Sequence, residues 1–379
     1  MQNLVLLGGG HSHAIALKFL GLNPQIRLIL ISDVLEAPYS GMLPGHIAGF
    51  YSHQECHINL SKLADFAKAD LIHDLAVGLD LKNQLVICQN HAPISFDWLS
   101  IDIGSTPAAN LISGAEHTIP VKPVPQFLEA WQSFLDQSIN SDRPIKIGIV
   151  GGGAGGVELA LTMQARTGYE IHLWHRQATL MSGFDPNIGQ RFAQLLHDRG
   201  INLHLNQTVN AVTPYSSQNS SQKIIHCDSG LNLTCDRIFW VTNATAPDWI
   251  KNSGLQTDCH GFIEIDRTLR SLSHPQVFAT GDIATIKNDP RPKAGVFAVR
   301  QGKPLAKNLR LTIKNQPLVP FYPQKQYLSL IGTGDSRAIA LWGKFYLGAP
   351  NLLTRLLWIW KDRIDRKFMQ QFTNLKSHK

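Results

Sequence analysis

The sequence is short of paired cysteines. Its five, Cys56, Cys88, Cys227, Cys235 and Cys259, stand among 379 residues with no C-x-x-C motif and no wider redox-disulfide spacing. A zinc ribbon and a dithiol relay are therefore excluded as expectations, and an odd count in a chain this large fits a reducing, cytoplasmic setting. Long apolar runs are missing as well. No stretch reaches the roughly 18 residues needed to cross a bilayer, and Met1-Gln2-Asn3 leads into Leu4-Val5-Leu6-Leu7 without the cationic segment of a secretory signal. Charge is sparse, at 17% against 44% hydrophobic residues, which excludes a disordered chain. The net charge of +7 is also unevenly spread. From Asn351 onward, seven basic residues (Arg355, Lys361, Arg363, Arg366, Lys367, Lys376, Lys379) face two acidic ones (Asp362, Asp365), a net of +5. Nucleic acid is not an expected partner, because little positive charge is left for the rest of the chain.

What the sequence does have is glycine at strand ends. Leu4 to Leu7, Gly8-Gly9-Gly10, a helical stretch from about His11 to Leu20 and the run Arg27 to Ile31 spell a βαβ unit. The pattern returns in Lys146 to Val150, Gly151-Gly152-Gly153-Ala154-Gly155-Gly156, a helical Val157 to Arg166, and Glu170 to Trp174. A dinucleotide pyrophosphate binds where a strand turns tightly into a helix, because free N–H groups and the helix dipole favour an anion there. Gly151, Gly153 and Gly156, with Ala154 opening the helix, complete G-x-G-x-x-G in the second unit. In the first unit Gly8 and Gly10 are present, but His13 holds the third glycine position. Ser32, followed by Asp33, stands where an acid usually holds a ribose hydroxyl. The second unit has no acid at that place. It has His175-Arg176, a basic pair suited to a 2′-phosphate, so NADPH is expected over NADH.

These elements resemble the two-dinucleotide-binding flavoprotein family that includes glutathione reductase and the type II NADH dehydrogenases. The resemblance covers about residues 1 to 310. It implies FAD in the first unit and NAD(P)H as co-substrate in the second. Gly281-Asp282 resembles the element on the flavin's ribityl chain, and Gly104-Ser105-Thr106-Pro107 the turn that returns from the FAD domain. His11, Ser12 and His13 are expected at the FAD phosphate turn, with Pro44 and Val77 among further FAD contacts. Gly295 and Val296 begin the helix, expected over Val296 to Arg310, whose N–H groups face the flavin. Glu158 resembles the family glutamate near the nicotinamide and is assigned a catalytic role with Gln301. The Ala-Gln pair that borders the quinone pocket in the type II class is replaced here by Ala294-Gly295. Pro38 to Gly45, Asp102 to Pro107 and Trp360 to Met369 more closely resemble the flavoprotein module fused to selenide, water dikinase in some bacteria. The kinase half is absent here, as in a stand-alone or trimmed relative.

The expected fold is α/β. Two Rossmann-like three-layer domains, FAD-binding over 1–118 and 246–310 and NAD(P)H-binding over 119–245, precede a C-terminal cap and amphipathic tail over 311–379. Linkers are expected at Pro120 to Pro125 and Ser138 to Pro144, and a hairpin tip at Ser216 to Gln222. In the tail, Leu353, Leu356, Leu357, Trp360, Ile364, Phe368 and Phe372 are read as one apolar helical face, with Arg355, Arg363 and Arg366 elsewhere. Such a helix suits the inner membrane surface near a quinone pool, or docking on the flavin domain or on a partner subunit, a homodimer included. His53 and His57 have metal-ligand spacing, but no third ligand cluster follows and no metal is expected. With no cysteine pair to receive electrons, the expected function is an FAD-dependent NAD(P)H dehydrogenase reducing a quinone or another small acceptor. A selenium-metabolism-linked flavin reductase and a non-catalytic flavin-binding interaction module remain the alternatives, with a selenium or sulfur compound as the other candidate acceptor.

Overall fold

The computed structural model describes residues 2–21, 25–107, 112–138, 143–215, 222–242 and 244–375. The first apolar runs become β1 (Gln2–Leu7), β2 (Ile26–Ser32), β3 (Asp70–His73) and β4 (Trp98–Ile101). Leu4 to Leu7 and Leu28 to Ile31 are all buried, as expected of parallel strands covered on both faces. Helix α1 (His11–Phe19) crosses from β1 to β2, and a short helix, α2 (Leu43–Ile47), follows.

The chain then leaves this sheet to build a second one. Its strands are β5 (Ile119–Pro120), β6 (Lys146–Val150), β7 (Glu170–His175), β8 (Asn202–Leu205) and β9 (Arg237–Trp240), in spatial order β5-β9-β6-β7-β8 and all parallel. Helices α3 (Val124–Ser138) and α4 (Ala154–Thr167) cover it, and α4 stops at Gly168, whose φ of 68° forms a left-handed cap. The chain returns with β10 (Val277–Ala279), so the first sheet reads β10-β4-β1-β2-β3. Helix α5 (Gly295–Ile313) packs on α1 and runs three residues past the expected end at Arg310, through an internal Pro304. An antiparallel sheet of β11 (Leu328–Gly332), β12 (Ala338–Trp342) and β13 (Phe345–Leu347) and the C-terminal helix α6 (Asn351–Thr373) complete the chain.

The expected α/β architecture of two nucleotide-binding sheets is thus the observed one. Three local expectations change. The tail does not carry a single apolar stripe. Leu357 and Phe372 are buried and Leu353 and Phe368 half-buried, whereas Leu356, Trp360 and Ile364 face solvent with Leu352 and Ile359. The helix docks through one apolar face and leaves a second exposed. Arg366 is not free either, since it pairs with Glu55 and Asp362. His53 and His57 do not share a helix: His53 opens a single turn and His57 begins a strand, and the two rings stack 3.6 Å apart. No group of three or more potential metal ligands occurs among the described residues. Residues 216–221 of the expected hairpin tip and 139–142 of the expected linker lie outside the described residues.

Candidate functional site

The strands of both sheets end at glycines in the left-handed region. Gly8 (φ 98°) follows β1, Gly104 (φ 72°) lies just past β4, Gly151 (φ 126°) follows β6 and Gly281 (φ 69°) follows β10. Only glycine takes these angles without strain, and the turns line the carboxyl ends of parallel strands, where open α/β sheets bind ligands.

In the second cradle a β-carbon on Gly156 would overlap the carbonyl oxygen of Gly151, so the third glycine permits close helix–strand packing. Gly153 has open space around it and caps α4 with no side chain, leaving the N–H groups from Ala154 onward for an anion. A cavity of about 350 Å³ opens here, lined by Gly151, Gly153, Trp174, Gln207 and Thr242. The indole Nε1 of Trp240, a lining residue, is buried without a hydrogen-bond partner. A glycine cradle with open N–H groups and an orphaned polar atom fits a nucleotide. His175, however, accepts the Gly152 N–H on Nδ1 at 3.2 Å, and burial lowers its pKa. It is a neutral buttress of the turn, and Arg176 is the exposed member of the expected basic pair.

The first cradle is built differently. His13 is fully buried and turns away from the phosphate side. Its Nδ1 meets the Gly8 carbonyl at 2.7 Å and its Nε2 the Ser100 hydroxyl at 2.8 Å, so the ring fills the space a third glycine would leave and has no nitrogen free for a phosphate. Ser12 Oγ donates to the Ala298 carbonyl at 2.7 Å, tying α1 to α5. His11 Nε2 is sealed without a partner, within electrostatic reach of Asp282 and Lys122, and Thr280 Oγ1 is likewise buried and unpartnered. Those orphaned atoms, beside Gly8, Gly10 and Gly281, fit a large polar cofactor. Asp282 accepts Lys122 Nζ at 2.6 Å and the Ser105 hydroxyl at 3.4 Å. Ser32 bonds with the backbone of Val34, Asp33 is exposed, and Val77 sits exposed on the edge hairpin Ala76–Cys88. Gly295 and Val296 open α5 behind Ala294, where a β-carbon on Gly295 would press on Ser40 Oγ at 2.6 Å. Gln301 faces the Gly281 turn, accepting its N–H at 2.7 Å, and so positions Asp282.

Between the cradles lies a cluster in which the expected Glu158 is joined by Lys361 and Asp365, residues not expected at the site. Glu158, on α4, accepts the Gly332 N–H at 2.7 Å. Desolvation pushes its carboxyl up to about 7, against the pull of Lys361 and that N–H. Lys361, on α6, is buried and donates to Asp365 at 2.7 Å and to the Gly41 carbonyl at 2.5 Å. Asp365 also accepts the Tyr39 hydroxyl at 3.2 Å, and Tyr39 stacks on Phe368 with centroids 4.4 Å apart. Gly41 and the buried Pro44 belong to the segment entering α2, which packs on α4. The available signals were the i, i+4 spacing of Lys361 and Asp365 and their place in the resembling Trp360 to Met369 segment, neither of which shows that they reach Glu158. The cysteines take no part: all five are free thiols, and the Cys56 thiol hydrogen-bonds with His53 and His57.

Two nucleotide cradles on parallel sheets, with a buried glutamate on the second domain and no cysteine pair, define a two-domain dinucleotide oxidoreductase. Residues 2–302 match the family described as "Pyridine nucleotide-disulphide oxidoreductase", and the chain belongs to that family. Ferroptosis suppressor protein 1 of Homo sapiens is 24% identical over 368 residues, 93% of this chain and 91% of its own length. Demethylphylloquinone reductase NdbB of Synechocystis is 25% identical over 299 residues, 75% of this chain and 72% of its own. The sulfide:quinone oxidoreductase of Aquifex aeolicus superimposes with a TM-score of 0.77 at 17% identity, covering 99% of this chain and 92% of the other. FAD and NAD(P)H are the cofactors of this family. The resemblance to the selenide, water dikinase module gains no support from them.

Proposed function

We propose that the chain is an FAD-dependent NAD(P)H:quinone oxidoreductase of the type II class. The observation that carries this reading is the meeting of Glu158 from the second nucleotide domain with Lys361 and Asp365 from the C-terminal helix, in a space without a cysteine pair. When bound, FAD supplies the acceptance of hydride from the nicotinamide and the delivery of electrons onward. Gly8, Gly10, His11, Gly104, Gly281 and Asp282 would hold it. The chain's own residues bind, orient and manage protons. The uncapped N-terminus of α5 offers N–H groups and a partial positive charge for anionic density. A quinone takes up two protons on reduction, and Glu158 holds one at its carboxyl near neutral pH. Lys361 fixes Gly41 and lowers the cost of the Glu158 anion once that proton has left.

Anaerobic stopped-flow spectroscopy tests this. The yellow protein is expected to bleach with NAD(P)H and to recover colour faster with a quinone than with oxidised selenium or sulfur compounds. A spectrum unmoved by either nucleotide overturns the enzyme, and faster recovery with a selenium compound overturns the quinone.

The family reading leaves nucleotide choice to Arg176. Arg176→Ala is expected to raise KM for NADPH about tenfold and leave KM for NADH within about twofold, because only the 2′-phosphate needs a cation at the end of β7. Equal effects on both nucleotides would remove Arg176 from recognition.

The outward face of α6 supports a membrane-surface location for the acceptor. No helix among the described residues is long and apolar enough to cross a bilayer. Leu352, Leu356, Ile359, Trp360 and Ile364 are exposed, beside Trp342, Phe345 and Leu347 on the adjoining β12–β13 hairpin. The exposed cations Arg355, Arg363 and Lys367 accompany this patch. An aromatic and aliphatic face with basic neighbours matches an anionic lipid interface. Full chain is expected to float with vesicles containing anionic lipid, and a Leu356→Glu, Trp360→Glu variant to bind at least about tenfold more weakly. Equal flotation of both proteins would sink the membrane assignment.

A further inference from the structure

The first cradle contains an acid where a phosphate-binding turn normally has none. Asp102 ends the segment after β4, and its carboxyl accepts the backbone N–H of Ser12 at 2.9 Å and of His13 at 3.2 Å. These are first-turn donors of α1, the groups a helix of this kind offers to an anion. The carboxyl also lies against both glycines of the cradle. A β-carbon on Gly10 would overlap its three carboxyl atoms, and one on Gly281 would overlap Oδ1. Gly10 and Gly281 are therefore small because Asp102 fills the space beside them. His11 Nε2 and Thr280 Oγ1, both buried without a hydrogen-bond partner, leave polar atoms in this cradle for a polar ligand.

We propose that Asp102 is a cofactor-binding residue that must be neutral when FAD is bound, so that cofactor uptake draws one proton onto its carboxyl. This rests on the FAD reading above. A pyrophosphate in the Gly8–Gly10 turn would be a near neighbour of this carboxyl, and two anions in a desolvated site repel strongly. The neutral acid removes that repulsion and adds an O–H donor in a cleft that offers few others.

The surrounding charges allow it. Burial pushes Asp102 up to about 7, and nearby Asp282 adds to the rise while the Ser12 and His13 N–H groups oppose it. On α1, His11 and His13 are both lowered to about 4 by burial and stay uncharged above pH 6. Asp282 carries Lys122 on its outer oxygen. Before α5, Lys293 donates to the Ala284 carbonyl, and burial lowers it to about 8. Lys293, which feels Asp282 as Asp102 does, also titrates in the working range.

The sign follows. A group that must be protonated for binding is already neutral below its free-protein pKa and costs affinity as pH rises above it. FAD bound to the flavin-stripped full chain, followed by quenching of flavin fluorescence, is expected to have a Kd about 25-fold weaker at pH 8.5 than at pH 6.5, as one ionisation near 7 dictates. Calorimetry at pH 8 in buffers of different ionisation enthalpy is expected to show uptake of close to one proton per FAD. Asp102→Asn is expected to flatten the profile and bind as tightly at pH 8.5 as at 6.5. A flat wild-type profile, no proton uptake, or a slope that survives in Asp102→Asn overturns the inference, the last assigning it to Lys293. Where Asp102→Asn does not fold, Lys293→Met carries the test: a slope persisting there supports Asp102 and its loss overturns it. A chain that binds no FAD at any pH removes the cofactor reading itself, a different result from tight binding without pH dependence.

Discussion

Exchanging Glu158 for glutamine is expected to lower quinone turnover about 10²- to 10³-fold, the range of a lost general acid, while flavin reduction by NAD(P)H stays within about threefold. The variant keeps an acceptor for the Gly332 N–H and loses only the transferable proton. In the unmodified protein the acid form predominates below about pH 7 and is lost above it. Turnover at saturating quinone should therefore fall by up to tenfold per pH unit above 7, and the residual rate of Glu158→Gln should show no such fall. Single-turnover traces of flavin reduction and reoxidation over pH 5.5 to about 9 separate the two half-reactions. A glutamine variant that is slow in flavin reduction instead would place Glu158 with the nicotinamide.

Lys361→Met is expected to destabilise the protein by about 3–5 kcal/mol, because it leaves a buried carboxylate without its cation. The side chains of Lys361 and Asp365 are 7% and 6% exposed, and the same ammonium satisfies the Gly41 carbonyl. Chemical denaturation should show a lower midpoint, and pairing the change with Asp365→Leu should recover much of the loss, since an apolar pair of similar size removes both charges. The pH profile should move too. Lys361 pulls the Glu158 pKa down, so its removal shifts the fall in turnover to higher pH. A loss under about 1 kcal/mol, with an unshifted profile, would mean that the pair holds neither the helix nor the proton.

Both predictions turn on contacts that no local motif shows, although Glu158 and the Trp360 to Met369 segment were themselves marked by resemblance. The glycine turns were legible because the requirement is local: a strand must reverse into a helix within a few residues, and only glycine supplies the angles at Gly8 and Gly151. The parallel sheets were legible from apolar runs buried on both faces. The inward turn of the His13 ring was not legible, because its partner Ser100 lies 87 residues away and nothing in G-x-G-x-x-H shows which way the ring points. Gln301 was assigned a catalytic role as the glutamine about one turn into the helix that faces the flavin; that its amide oxygen accepts the Gly281 N–H, 20 residues earlier in the chain, no spacing shows. The tail shows the same limit. Helical spacing identified an amphipathic element but joined residues of two faces into one, since periodicity does not say which side meets the protein.

The sequence by itself determined two dinucleotide cradles, the doubly wound sheets that carry them, and the lack of a cysteine pair between them, because each depends on residues close together in the chain. Only the tertiary structure decided what stands between the cradles. Asp102 reaches the start of α1 across 90 residues, Glu158 meets Gly332 across 174, and Lys361 meets Gly41 across 320. The physical reason is burial: each is an ionisable group withdrawn from water, and its charge and proton are set by neighbours that folding alone brings near.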